Sequence, residues 1–374
     1  MMKWKDLKSW QKRKIIRWFS FFIVIAILYI GYVVMDMQKE KQASKDAWAA
    51  MMAQDKAIQE QTYDEDNPPT FVTVGTYLET IKDISLKTNS YRISFVAWFR
   101  WKDNDNLDFT KHGRVYNAQQ HSLEVLKDYH KDGVHYQQIL VDVTCSRNFS
   151  TKRFPLDTHN MSFYLESTES SEDVIFIADT LNSGVNPNLS VSGYAVTGYF
   201  VSSTFYDFPN TLNNPRLNNP MQHAMMATHL QTARGDLGLY LRCFIALLGA
   251  LIWVMISVYI CAHHRVNPLG TLSSALFGSI GNVMIGAALL PDVLELGLVE
   301  FVNFFGTLVI IGGTLCIIQI NNIRDNRKGF GDGENTANDA RLYAKFFGRV
   351  MFFTLLAIAI IGNLIIPLST YNWS

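Results

Sequence analysis

Five stretches of the chain carry no charge and are long enough to reach across a bilayer, which takes roughly 20 apolar residues. They are residues 18–35, 243–262, 267–291, 301–323 and 350–374. Between the first and the second, the pattern changes twice. Residues 37–61 are rich in Ala, Lys, Gln, Glu and Met and contain no Gly or Pro. That composition predicts one exposed helix, with Trp48, Met51 and Met52 as its apolar contacts. The acidic and proline-containing run 64–69 ends it. From 71 to 234, short strand-like runs (71–78, 91–101, 135–143, 161–166 and 193–202) are separated by clusters of Asn, Asp, Gly and Ser. Many short strands with turn signals between them predict a β-sandwich.

Composition agrees with the spans: 48% of residues are hydrophobic and only 18% charged, too apolar for a wholly soluble chain. The first span follows a basic segment, as a signal peptide would, but it is long for one and leads into Met35-Asp36-Met37 with no small-residue cleavage site. It reads as a retained anchor. The first 17 residues hold seven Lys or Arg, residues 324–349 hold six, and the turn after Ala262 reads His263-His264-Arg265. Basic flanks stay on the cytoplasmic side. The turn 292–300 is acidic without a basic residue and suits the outer face. The expected order is therefore a cytoplasmic basic segment and anchor (1–35), an outer helix and linker (36–69), an outer β-sandwich (70–234) and a four-helix transmembrane domain (235–374). The N-terminus lies in the cytoplasm, and the ectodomain and C-terminus lie outside a plasma or inner membrane.

Lys plus Arg equals Asp plus Glu at 33 each, so no basic excess points to nucleic acid. Cys145, Cys243, Cys261 and Cys316 match no metal or disulfide spacing. No H-E-x-x-H, G-x-S-x-G or Walker pattern occurs, so neither catalysis nor a cofactor is expected. Asp103 to Asp108 offers oxygen ligands but fails the EF-hand pattern at its glycine and terminal glutamate, and reads as a solvated turn rather than a metal site.

Several motifs occur in order. Gly75-Thr76-Tyr77-Leu78 precedes Phe99-Arg100-Trp101-Lys102-Asp103. Phe154-Pro155-Leu156-Asp157, then Gly193-Tyr194, then Arg234 with Tyr240, then Leu290-Pro291 follow. In these motifs, over about 300 residues, the chain resembles the pentameric ligand-gated ion channels, the Cys-loop receptor superfamily, and above all its bacterial members. The resemblance implies a homopentamer in a lipid bilayer, passing ions through a pore lined by the second channel helix. It departs from animal receptors in lacking the loop disulfide, whose cysteines would fall at Arg147 and Met161. It lacks the Trp-x-Pro aromatic of many relatives and the proline of the first channel helix. It also adds a span before the ectodomain.

The resemblance places Gly270, Ser274, Phe277, Gly281, Met284 and Ala288 along the pore, with Phe277 as a hydrophobic ring. Side-chain polarity favours a second stripe, Thr271, Ser274, Gly278 and Asn282, about 100° away. Small residues in a membrane helix also serve close packing. Arg265 and the two histidines at the inner mouth suit anions, yet they equally suit an ordinary positive-inside turn. The resemblance further implies a gating interface of Phe154, Pro155, Asp157, Arg234, Pro291 and Asp292. It implies a small-molecule or proton ligand at a subunit boundary, under a loop from about 203 to 222, with Tyr194, Phe205, Tyr206 and Phe208 as candidate contacts. The alternative is a non-conducting, membrane-anchored ligand-binding, sensor or scaffold protein of the same fold.

Overall fold

A computed structural model of the 374-residue chain describes residues 3–54, 68–102, 104–189, 191, 193–210, 221–234, 237–264, 266–290, 295–326, 330 and 336–371. The chain divides into two compact units. One comprises residues 1–41, 151–157 and 236–374, the other residues 42–150 and 158–235.

The second unit is β-rich. Its strands are β1 (Thr70–Ser85), β2 (Ser90–Lys102), β3 (Gly113–Tyr116), β4 (Ala118–Lys131), β5 (Val134–Ser146), β6 (Thr158–Ser170), β7 (Val174–Ala178), β8 (Gly184–Val185), β9 (Ala195–Asp207) and β10 (Gln222–Ala233). One sheet runs β4-β5-β2-β1-β7, with β8 also on β1, and the other runs β3-β6-β10-β9. Alternation sets which face is buried: Val72, Val74, Thr76 and Leu78 point inward from β1, and Tyr91, Ile93, Phe95, Phe99 and Trp101 from β2. The inner faces of the two sheets share a core. Phe95 meets Phe163 with ring centroids 4.5 Å apart, and the Tyr91 hydroxyl donates to the Ser162 carbonyl at 2.7 Å. Thr76 and Thr228 pair their hydroxyls at 2.8 Å. Each buried aromatic side chain contributes about 2 kcal/mol, and the hydrogen bonds satisfy polar groups that burial would otherwise penalise.

The sequence reading of residues 203–222 as a loop is corrected here. β9 continues to Asp207, because Phe205, Tyr206 and Asp207 pair with Ala224, His223 and Gln222 of β10. Residues 211–220 lie outside the described residues.

The first unit is helical, with α1 (Ser9–Gln54), α2 (Leu237–His264), α3 (Leu272–Leu289), α4 (Leu298–Asn326) and α5 (Thr336–Thr370). Among the described residues, α1, α2, α4 and α5 are long and apolar enough to cross a membrane by length and composition. The chain is a membrane protein with a β-rich region. The anchor and the helix after it are one element: α1 is unbroken for 46 residues and contributes residues 9–41 to the helical unit and 42–54 to the β-rich unit. The charged run from Asp36 to Lys41 changes the helix surface but costs little helix propensity. In the helical unit α1 packs on α4 and α5. The Tyr29 hydroxyl donates to the Phe301 carbonyl at 2.8 Å, Trp18 meets Phe347 edge-on, and Phe22 lies over Gly312 and beside Leu355. In the β-rich unit Trp48 packs edge-on against Phe200 at 5.0 Å. Met51 is half-buried and Met52 is exposed. Residues 55–61 of the predicted helix lie outside the described residues.

The expected span 267–291 is shorter as a helix. Asn267 accepts from the Leu269 amide, and Pro268–Thr271 form a tight 3₁₀ turn. The α-helix begins at Leu272 and runs 18 residues, about 27 Å.

Candidate functional site

Helix α3 has two unlike faces. One packs on its neighbours. Gly278 stacks on Ala250 of α2, Ser279 and Thr307 of α4 pair their hydroxyls at 3.0 Å, and Asn282 donates to the Asn303 side chain at 2.8 Å. Asn282 is only 1% exposed. The other face carries Ser274, Phe277, Gly281, Met284 and Ala288. Phe277 is 72% and Met284 70% exposed, Ser274 and Ala288 are exposed, and a side chain at Gly281 would meet nothing within 4 Å. Gly270, expected on the same stripe, sits in the 3₁₀ turn and is also exposed. The polar stripe divides: Thr271 and Ser274 are exposed, whereas Gly278 and Asn282 turn towards the other helices.

A second assembly gathers around residues 151–157, which belong to the helical unit. Arg153, Phe154, Pro155, Leu156 and Asp157 are all buried, with a cis peptide between Phe154 and Pro155. The Arg153 guanidinium donates to the Thr370 carbonyl at the end of α5 at 2.6 Å. Burial lowers the Arg153 pKa, and the carboxylates of Asp157 and Glu40 act the other way. Lys152 lies 3.7 Å from Glu40 and 3.4 Å from Glu295, and its carbonyl accepts from the Leu298 amide at 2.7 Å. A side chain at Gly297 would come within 2.8 Å of that carbonyl oxygen, so the start of α4 approaches the loop only because residue 297 is glycine. One short loop is thus tied to the ends of α4 and α5 and to α1. Pro291 and Asp292 of the expected gating interface lie outside the described residues. Arg234 belongs to the β-rich unit, where its guanidinium lies 4.2 Å over the Tyr194 ring and donates to the Tyr194 hydroxyl at 2.7 Å.

The candidate ligand residues do not form one group. Tyr194 is buried between Arg234 and His159. Phe205 and Tyr206 are successive residues of β9 and so point to opposite faces of their sheet. Tyr206 and Phe208 do come together, with ring centroids 4.9 Å apart, and they join residues that sequence reasoning missed. Tyr206 lies tilted against Tyr116 with ring centroids 4.8 Å apart, and Phe208 lies 4.8 Å from His223. His223 Nδ1 is 2.8 Å from a carboxylate oxygen of Glu166, whose two oxygens also accept from Arg114 at 2.7 and 3.0 Å. Glu166 is fully buried, while the Arg114 side chain is half exposed. A buried carboxylate persists only when its oxygens are satisfied, and here a bidentate guanidinium and an imidazole satisfy them. The result is an aromatic surface with a fixed guanidinium beside it, suited to a small ligand with a flat or alkyl body. The only sequence signal was an acid within the strand-like run 161–166.

A cavity of about 360 Å³ lies on the other sheet, lined by Thr73, Trp98, Arg100, Tyr136, Gln138, Asp179 and Asn182. The Trp98 indole N–H donates to Asp179 at 3.1 Å, which fixes the ring at the cavity wall. No family model matches the chain, and no curated protein is significantly similar to it.

Proposed function

We propose that this chain is one subunit of a homopentameric ion channel gated by a small molecule or by protons, in which its two sheets form the outer β-sandwich and α3 lines the pore. The observation that carries this reading is the outer face of α3. Phe277 and Met284 are large, apolar and about 70% exposed, while the polar Asn282 turns inward and donates to Asn303 inside the bundle. Small and polar positions interrupt that face: Ser274 is exposed on it and Gly281 is open, which suits a lumen better than lipid, where polar side chains are avoided. A fivefold ring of that face gives a narrow lumen closed by apolar side chains, the kind of constriction that gates by dewetting.

In the same reading, the aromatic surface of Tyr116, Tyr206 and Phe208 on one subunit and the Trp98 cavity on the next form the ligand site. Both open outward from a single chain, on different sheets. The buried loop 151–157 transmits motion of the β-sandwich to α4 and α5 as populations shift between closed and open states. The anchor at the start of α1 keeps to the α4 and α5 side of the bundle and away from the pore. The test is single-channel recording of the purified protein in a planar bilayer over a panel of pH values and salts, with native mass spectrometry for stoichiometry. Unitary currents from a pentamer are expected. An intact pentamer that stays silent under every condition would refute conduction and favour the non-conducting sensor or scaffold.

A further inference from the structure

The hairpin that joins β4 to β5 turns on Asp132 and Gly133, both with positive φ (53° and 75°). This is the two-residue turn that Asp-Gly favours. Its tightness sets the register, so that His130 of β4 faces His135 of β5 directly. Cross-strand partners have Cβ atoms about 5 Å apart, and the two imidazoles lie with ring centroids 4.0 Å apart. The other side of the His135 ring is covered by Trp101, parallel to it at 5.2 Å. Trp101 also fixes a third group. Its indole N–H donates to the Asn104 carbonyl at 2.8 Å, and the Asn104 side chain donates to Thr70 at 3.2 Å. The segment so held presents the Asp105 carboxylate 2.7 Å from His135 Nε2. One candidate ligand atom each from Asp105, His130 and His135 lies within 4.8 Å of the others.

We propose that Asp105, His130 and His135 bind a divalent transition-metal ion, zinc foremost. Two imidazole nitrogens and one carboxylate oxygen form a set that suits Zn²⁺ and its first-row neighbours, with water completing the coordination. Calcium and magnesium prefer all-oxygen sets, so Asp105, expected in a solvated turn, gains a partner strand and a different chemistry. The geometry is largely prepared. Backbone pairing fixes the His130–His135 distance and Trp101 holds the His135 ring, and the three ligand atoms within 4.8 Å of one another are close enough to share one ion at the usual distances of about 2 Å. A bound ion would clamp the hairpin tip to the segment that follows β2 and raise the thermal stability of the β-rich unit, since it binds the folded arrangement only.

The experiment uses the full-length, untagged protein in detergent, titrated with Co²⁺ and followed by its visible ligand-field absorption, then displaced with Zn²⁺. One ion per chain is expected. His130 is exposed, so His130→Ala should fold normally, keep its elution volume and bind at least about tenfold more weakly, as even outer-shell changes do at metal sites. Asp105→Asn should weaken binding too. His121→Ala should not, because His121 bonds Thr144 elsewhere on the strand pair. Absence of saturable binding would overturn the proposal. So would the same affinity and stoichiometry in His130→Ala and Asp105→Asn as in the parent.

Discussion

Acid should weaken the β-rich unit through one residue, His229. It is 5% exposed, stacked on Phe200 at 4.4 Å and edge-on to Tyr164. Its Nδ1 lies 2.7 Å from the Ser162 hydroxyl and its Nε2 3.4 Å from Ser202. Burial, together with the nearby Arg147 guanidinium, pushes its pKa down to about 4. The folded state therefore holds the ring neutral at pH values where the unfolded chain has already taken up a proton. With an unfolded value near 6.5, the stabilisation is present in full above that pH and is lost as pH falls towards 4. A gap of about 2.5 units corresponds to about 3 kcal/mol in all, of which about 1.4 kcal/mol is gone by pH 5.5. Two carboxylates of the unit titrate below this window. Asp142 is held at about 2 by Arg92 and Lys82. Asp108 also stays below its ordinary range, because hydrogen bonds from Thr110 and Gln137 outweigh its burial. The assay is thermal unfolding in detergent at pH 7.5, 5.5 and 4.5, comparing wild type with His229→Gln. The variant should be less stable at pH 7.5, having lost a fitted ring, and the difference should shrink by about 1.4 kcal/mol at pH 5.5. Parallel pH dependences in the two proteins would refute the reasoning.

Three other perturbations bear on the functional reading. Phe277→Ala should widen an apolar constriction and give leak current or a lowered activation threshold in bilayer recordings, and silence on that change with a strong effect from Asn282→Leu would favour the polar stripe. Asp157→Asn and Arg234→Gln should each impair pentamer assembly or gating, read by native mass spectrometry and conductance; wild-type behaviour in both would refute their role. Trp48→Ala should loosen residues 42–54 by about 1 kcal/mol, the scale of an aromatic pair, and Gly198→Ala should do the same because its Cβ would sit 2.8 Å from the Trp48 ring. Faster hydrogen exchange in that stretch of α1 is the readout.

What the sequence made legible follows from how each element is buried. β1 alternates over Val72 to Thr73 and Thr76 to Leu78, and β2 alternates at its ends, although Ile93 to Ala97 are buried in a run. β10 is central in its sheet and covered on both faces, so Ala224, Met225, Met226, Ala227 and Thr228 are all buried. No alternation survives, and Met and Ala are weak strand formers. β4 is an edge strand exposed almost throughout and owes its conformation to pairing with β5, which a single segment cannot display. The convergence of Arg114, Glu166 and His223 depends on three neighbouring strands in register. Tyr206 and Phe208 were visible as aromatics, but the strand pairing that separates Phe205 from them was not.

The two stripes of α3 differ for a reason that spacing alone does not contain. A polar side chain in a membrane helix escapes lipid in one of two ways, by facing water or by finding a partner on another helix. Sequence polarity cannot distinguish these escapes, and it points to Asn282 under either. Here Asn303 takes the second role for Asn282, and Thr307 takes it for Ser279. Ser279 and Asn282 are three residues apart on α3, and Asn303 and Thr307 four apart on α4, so each pair shares a helix face. Two rungs join those faces. Interhelical hydrogen bonds of this kind are each worth about 0.6 to 2 kcal/mol, and turning α3 by 100° would break both while pushing Phe277 into the packed side. The polar residues thus act as a lock on helix rotation. The face left outward carries the small and apolar side chains Ser274, Phe277, Gly281 and Met284.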